Sequence, residues 1–150
     1  MFLSKGVISM AREGNLIVLF DAPGERVLCC LRRRPPYAGL YNLPGGRVEP
    51  GESGQNAAER ELMEETGVAP QDASLRKMLR TEYFWDDWAL EVYVGRLNRP
   101  MDVYGEENEL RWTPLSEDFY DSSRFAGAGN VGHFVEYARR FSGLLPEAEP

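Results

Sequence analysis

The sequence has only two cysteines in 150 residues, and Cys29 and Cys30 are chain neighbours. Adjacent cysteines cannot build the bridged framework of a small secreted domain, so a reducing, cytoplasmic setting is expected. Histidine occurs once, at His133. It belongs to no His-Asp-Ser or His-Cys constellation and is read as a surface residue. Positive charge is in deficit, with 17 Lys and Arg against 24 Asp and Glu and a net charge of -7. That balance disfavours duplex DNA, RNA and anionic membranes as partners, because such binding draws on a positive surface field. Long apolar runs are missing too. The longest, Leu16 to Phe20, is far short of the roughly 20 residues that span a bilayer, so no membrane segment is expected. Met1 to Met10 is broken by Ser4, Lys5, Gly6 and Ser9 and lacks a signal-peptide pattern, so the chain is expected to start in its mature form. No internal repeat, heptad pattern or low-complexity tract is found.

What remains is an ordinary globular composition, 43% hydrophobic with 7 Phe, 7 Tyr and 3 Trp. One domain over residues 1–150 is expected. Gly6 to Ala11 and Leu16 to Phe20 are β-prone runs separated by Arg12-Glu13-Gly14-Asn15, and Val27 to Leu31 follows the turn Asp21-Ala22-Pro23-Gly24. Residues 32–51 hold eight prolines and glycines and predict a long shaped loop. Ser53 opens and Gly67 closes a helical stretch that holds no proline and, from Gln55 to Thr66, no glycine. Leu75 to Phe84 and Ala89 to Leu97 predict an antiparallel hairpin across Trp85-Asp86-Asp87-Trp88, and Leu110 to Thr113 a short strand stopped by Pro114. Asn130 is placed as the cap of a last amphipathic helix carrying Val131, Phe134, Val135, Ala138 and Phe141, with a frayed tail from Leu145. Strands around a central helix with a second helix at the end predict an α+β sandwich.

The chemistry concentrates in that central helix. Arg60-Glu61-Leu62-Met63-Glu64-Glu65 places Glu61, Glu64 and Glu65 at i, i+3 and i+4, within a sector of roughly 100°. Such crowding alone describes a solvated acidic face. The preceding Leu43-Pro44-Gly45-Gly46 changes the reading, because two glycines let backbone approach an ion or a phosphate closely. Oxygen ligands of this kind suit Mg²⁺ or Mn²⁺.

Gly46, five residues, Glu52, seven residues and then Arg60-Glu61-Leu62-Met63-Glu64-Glu65-Thr66-Gly67-Val68 resembles, without a departure, the signature of the Nudix hydrolases, the MutT-like pyrophosphohydrolases. Its seven fixed positions coincide by chance on the order of once in 10⁸ to 10⁹ windows, so coincidence is not the explanation. The lead-in from Tyr41 to Gly46 and the late Glu107 to Trp112 segment also look like family features. Tyr41 stands where many members have Trp.

The resemblance implies an α/β/α sandwich with a mixed β-sheet, the catalytic helix following the glycine-rich loop. It implies metal-dependent attack of water on phosphorus in a nucleoside diphosphate linked to another moiety. By the same resemblance Glu64 and Glu65 are metal ligands, Glu61 is a further ligand or the general base, and the carbonyl of Gly45 or Gly46 is an extra ligand. Glu52 and Arg60 are expected to pair and hold loop to helix. Glu107 is preferred over Glu106 and Glu109 as a late-loop base or ligand. Arg32, Arg33 and Arg34 are expected to grip phosphate, with a solvated turn as the alternative and at least one of them pointing away if the strand alternates. Tyr83, Phe84, Trp85 and Trp88 cluster at the hairpin, where a ring could stack on a nucleobase, although most of them are expected to fill the core, and Tyr37 and Tyr41 beside the glycine-rich loop are equal candidates for stacking. One of the two cysteines is expected to be buried and one to face away. The expected substrate is a nucleoside triphosphate, oxidised ones included, cleaved to monophosphate and pyrophosphate. ADP-ribose or nucleotide-sugar hydrolysis and a non-hydrolytic nucleotide sensor are the alternatives, with a monomer or homodimer as the assembly.

Overall fold

The computed structural model describes residues 10–145. The chain runs β1 (Arg12–Phe20), β2 (Arg26–Leu31), β3 (Tyr41–Asn42), α1 (Gly54–Thr66), β4 (Arg76–Tyr83), β5 (Trp88–Arg96), β6 (Leu110–Pro114) and α2 (Asn130–Phe141). One mixed sheet takes all six strands: the order is β3-β2-β1-β5-β4, with β6 on the other edge of β2. β1 and β5 lie parallel from Arg12↔Trp88 to Phe20↔Arg96, and the remaining pairs are antiparallel.

Alternation along β1 divides the core in two. Val18 and Phe20 join Leu90, Val92, Phe125, Val131, Phe134 and Val135 beneath α2. Ile17 and Leu19 join Leu28, Ala58, Leu62, Val68 and Tyr93 beneath α1. The result is the expected α/β/α sandwich.

The feature that places the site is a split. β1 and β2 pair only next to their turn, at Phe20↔Val27, and then separate. The glycine-rich loop fills the wedge: Ile17 N–H donates to the Pro44 carbonyl at 2.8 Å, Asn15 N–H to that of Gly46 at 2.8 Å, and Val48 N–H to that of Glu13 at 3.0 Å. A loop that supplies strand-like partners on one edge of β1 satisfies backbone groups that would otherwise be orphaned.

Five expectations need correction. Arg12 to Asn15 is not a connector but the first half of β1, because β5 on one side and the glycine loop on the other take up its backbone groups, and Gly14 leaves room for the ring of Trp88. The expected strand Gly6 to Ala11 and the tail beyond Leu145 fall almost wholly outside the described residues; Met10 and Ala11 are not in a strand. Asn130 is the first helical residue, and the N-cap is Gly129 at φ 95°. Both cysteines are buried, since β2 is covered on both faces; burial pushes the Cys29 thiol up to about 11 and the Cys30 thiol up to about 12, so neither is a thiolate. Phe84 and Trp85 also escape the core: they form a 3-10 turn at the tip of the β4–β5 hairpin, where Trp85 is 99% exposed. His133 lies exposed on α2, as expected.

Candidate active site

α1 begins and ends where its sequence dictates. Ser53 Oγ accepts the N–H of Asn56 at 3.1 Å, and Gly67, at φ 77°, donates its N–H to the Met63 carbonyl. Leu62 and Thr66 face inward, which leaves Glu61, Glu64 and Glu65 on the side next to the wedged loop.

Arg60 binds that assembly together. Its Nε and Nη2 donate to the two carboxylate oxygens of Glu52 at 2.8 and 3.0 Å, a forked pair. Nη1 donates to Glu61 at 3.0 Å and to Glu64 at 3.2 Å, and Nη2 also reaches the Arg47 carbonyl at 3.0 Å. The Arg60 hydrogen bond holds the Glu52 carboxyl below its usual range.

The two glycines are required by contact. A Cβ on Gly46 would overlap the Glu61 carboxylate, and one on Gly45 would overlap the Asn15 carbonyl. The N–H of Gly45 donates to Glu65 at 3.1 Å and that of Gly46 to Asn15 Oδ1 at 3.2 Å. Burial is the main reason that the Glu65 carboxyl is pushed up to about 7; the Gly45 N–H opposes the shift, and the charges of Glu61, Glu107 and Glu64 add to it. Glu61 is raised for the same first reason, against the pull of Arg60.

A cleft of about 1180 Å³ opens over this centre. Glu65, Glu107, Gly45 and Gly46 line one part of it, and Arg32, Arg33 and Arg34 line another. All three arginines line the cleft; β2 ends at Leu31 and they follow in irregular chain, so strand alternation does not direct one away, and Arg32 Nε also donates to the Pro36 carbonyl at 3.0 Å. Glu61 and Glu64 flank Glu65 on the same helix face without lining the cleft, and Glu52 and Arg60 stand behind them. Glu106 and Glu109 do not line it, and Glu109 instead accepts the Leu31 N–H on its carbonyl at 2.9 Å.

Tyr41 is not in the cleft. β3 is short and alternates, so Tyr41 turns to the α2 side, with Phe125 at 6.5 Å between ring centroids and the Arg111 guanidinium over its ring, while Asn42 faces the cleft. The aromatic wall comes from Trp88 and Tyr83, with Tyr37 at the rim. The sequence reading missed Arg12, Asn15, Asn42, Arg47 and Asn130 as cleft residues. Arg12 and Asn15 were hidden in the presumed connector, although an asparagine next to an apolar β run was a readable signal.

Among the described residues, no three carboxylate, imidazole or thiol groups converge as they stand into a metal cage. Arg60 and the Gly45 N–H hold the acids on separate partners. The donor chemistry still fits a hard divalent cation, since Glu61, Glu64, Glu65 and the Gly45 carbonyl all offer oxygen.

The NUDIX domain model matches residues 10–125. The oxidized purine nucleoside triphosphate hydrolase of Danio rerio is 32% identical over 95 residues, 63% of this chain and 60% of that protein. The ADP-ribose pyrophosphatase of Methanocaldococcus jannaschii is 44% identical over 97 residues, 65% of this chain and 55% of that one. The chain thus spans little more than half the length of these curated relatives. The structure of a C. elegans Ap4A hydrolase superposes with a TM-score of 0.67 at 20% identity, covering 87% of this chain and 98% of that one, a likeness of fold.

Proposed function

Since the chain belongs to the Nudix family, we propose that it is a metal-dependent hydrolase of a phosphoanhydride in a small nucleotide, acting on nucleoside triphosphates, oxidised ones included, to release monophosphate and pyrophosphate. One observation carries this reading: a single cleft is lined by Glu65 and Glu107 at the diglycine loop and by five arginines, Arg12, Arg32, Arg33, Arg34 and Arg47. A protein of net charge -7 that brings five of its 17 Lys and Arg to one cleft is suited to a polyanion.

Glu61, Glu64 and Glu65, with the Gly45 carbonyl, would hold Mg²⁺, or Mn²⁺ in its place. Bound there, the ion would neutralise phosphate charge and make water a better nucleophile. Arg32, Arg33 and Arg34 bind the outer phosphates, and Gly46 lets the phosphate chain pass close to the backbone. Glu61 or Glu107 takes the proton of the attacking water on a carboxylate oxygen; Glu61 is suited to it because burial raises its pKa. Glu52 and Arg60 position the helix face against the loop. Of the candidate stackers, Trp88 and Tyr83 supply the surface, while Tyr41 lies outside the cleft. The reaction is placed in the cytoplasm, and no helix among the described residues is long and apolar enough to cross a membrane.

The identity to an ADP-ribose pyrophosphatase favours a second reading, a diphosphate linked to a second sugar. The arginine-lined cleft favours the triphosphate, whose outer phosphates give those side chains more charge to hold. Incubation with Mg²⁺ and a panel of nucleoside triphosphates, 8-oxo forms, ADP-ribose and nucleotide sugars tests the choice. Monophosphate and pyrophosphate from a triphosphate is the expected result; turnover of ADP-ribose alone establishes the second reading, and tight nucleotide binding without turnover a sensor.

A further inference from the structure

Asn15 is a polar residue in a position built for an apolar one. It lies on the α1 face of β1 in the same alternation as Ile17 and Leu19, and it is only 2% exposed. Its main chain and side chain grip the diglycine from one side: the Asn15 N–H donates to the Gly46 carbonyl at 2.8 Å, and Oδ1 accepts the Gly46 N–H at 3.2 Å. That second bond fixes the orientation of the amide, since only the oxygen can accept. The other end, Nδ2, is buried and has no hydrogen-bond partner among the described residues.

Leaving a buried amide donor unpaired is costly, and a loop clamp does not require it. A serine or threonine hydroxyl also accepts a backbone N–H, and brings no NH₂ group that then needs partners of its own. The unpaired donor belongs to a residue that lines the cleft beside Gly45, Gly46 and Glu65. Of the protein acceptors close to the diglycine, Glu65 Oε2 takes the Gly45 N–H, Glu61 Oε1 takes Arg60, and the Gly46 carbonyl takes the Asn15 N–H. The position is one where a ligand oxygen completes the bonding.

We propose that Asn15 is a substrate-positioning residue whose Nδ2–H₂ donates to a phosphoryl oxygen of the bound nucleotide while its Oδ1 keeps the diglycine loop in place. The ligand class follows from the surroundings. The carboxylates beside Asn15 and the arginines that line the same cleft fit a phosphate chain, and a neutral amide donor adds a hydrogen bond to phosphate without adding charge to the acidic centre. Asn15 thereby couples two events, since the side chain that registers phosphate also holds the loop that carries Gly45 and Gly46. The proposal rests on the hydrolase reading only for the identity of the nucleotide; the phosphate contact stands by itself.

The test uses inorganic triphosphate as the probe, in EDTA, on the whole ¹⁵N-labelled chain. The Asn15 side-chain amide signals, identified by their loss in Asn15→Asp, are expected to move downfield as triphosphate binds. In Asn15→Thr, which keeps an acceptor for the Gly46 N–H and adds no charge, triphosphate affinity is expected to fall roughly 10- to 100-fold with an unchanged melting temperature. Amide signals that stay in place at saturating triphosphate, or a wild-type protein that binds no triphosphate, would overturn the assignment. An Asn15→Thr protein with wild-type affinity would overturn it as well. The nucleotide panel separates this outcome from failure of the hydrolase reading: triphosphate bound through Asn15 without any nucleotide turnover sinks the hydrolase alone, and nucleotide turnover with an unresponsive Asn15 sinks the positioning role alone.

Discussion

At the scale of single residues, two charged side chains do most to hold the site and its frame. Arg60 makes five hydrogen bonds, to both oxygens of Glu52, to Glu61, to Glu64 and to the Arg47 carbonyl. Its side chain is 25% exposed and that of Glu52 17%, so the pair is partly withdrawn from water and its loss leaves acids without partners. Arg60→Met is expected to lower stability by about 1–3 kcal/mol and turnover by more than tenfold, read by thermal melting and by initial rates. Arg60→Lys should restore little of either, because an ammonium cannot fork onto Glu52. Asp21 does the equivalent work in the β1–β2 turn. Burial alone would raise its carboxyl, but the Arg26 side chain at 2.7 Å and the N–H groups of Glu25 and Arg26 outweigh burial and hold it below 3.8. A carboxyl lowered by folding contributes stability that is complete above 3.8 and is lost as the pH falls through its lower folded value. Asp21→Ala should therefore cost about 1–3 kcal/mol at neutral pH, and the difference from wild type should shrink below pH 3.8; a gap independent of pH in urea titrations would contradict this. The signature residues were legible in the sequence because their spacing is local, and the Glu52–Arg60 pairing was implied by the family resemblance that they carry. Tyr41 was not, because a two-residue strand carries no periodicity from which its facing could be read.

At the scale of elements, the glycine loop and α1 form one unit, wedged into a sheet that opens to receive it. α1 could be read to the residue because its cap signals are local: Ser53 and Gly67 bound it on either side. The strand β1 could not, because what makes a strand of Arg12 to Asn15 is pairing with β5 and with the loop, both distant in sequence. Gly129 capping α2 in place of Asn130 has a similar cause, since Asn130 is already in the first helical turn and its Nδ2 donates to the distant Tyr83 hydroxyl at 2.8 Å. The wedge has two tight points, and at one of them Gly46 passes the Glu61 carboxylate. Gly46→Ala is expected to separate loop from helix, with turnover down by at least about 10²-fold and stability down by only about 1–3 kcal/mol. A fully active Gly46→Ala protein would show that the contact is not needed.

At the scale of the whole molecule, the charge distribution matters more than its sum. The net charge of -7 argued correctly from the sequence that cations are scarce, but not that five arginines from β1, the segment after β2 and the glycine loop would meet in one cleft, since that depends on the sheet. Attraction of a polyanion to such a cleft is screened by salt. KM for a nucleoside triphosphate is expected to rise several-fold as NaCl is raised to about 0.5 M, where the Debye length falls to about 4 Å, with kcat little changed; a KM indifferent to salt would remove the arginines from substrate binding. The account as a whole rests on the α1 carboxylates working with a divalent cation. Pyrophosphate release measured against Mg²⁺ concentration in wild-type protein and in Glu65→Gln tests that most directly. The expected result is a saturable Mg²⁺ requirement abolished by EDTA, and a Glu65→Gln protein folded as the wild type but slower by at least about 10²-fold at any Mg²⁺. Turnover that persists in EDTA, or a Glu65→Gln protein as active as the wild type, would contradict the account.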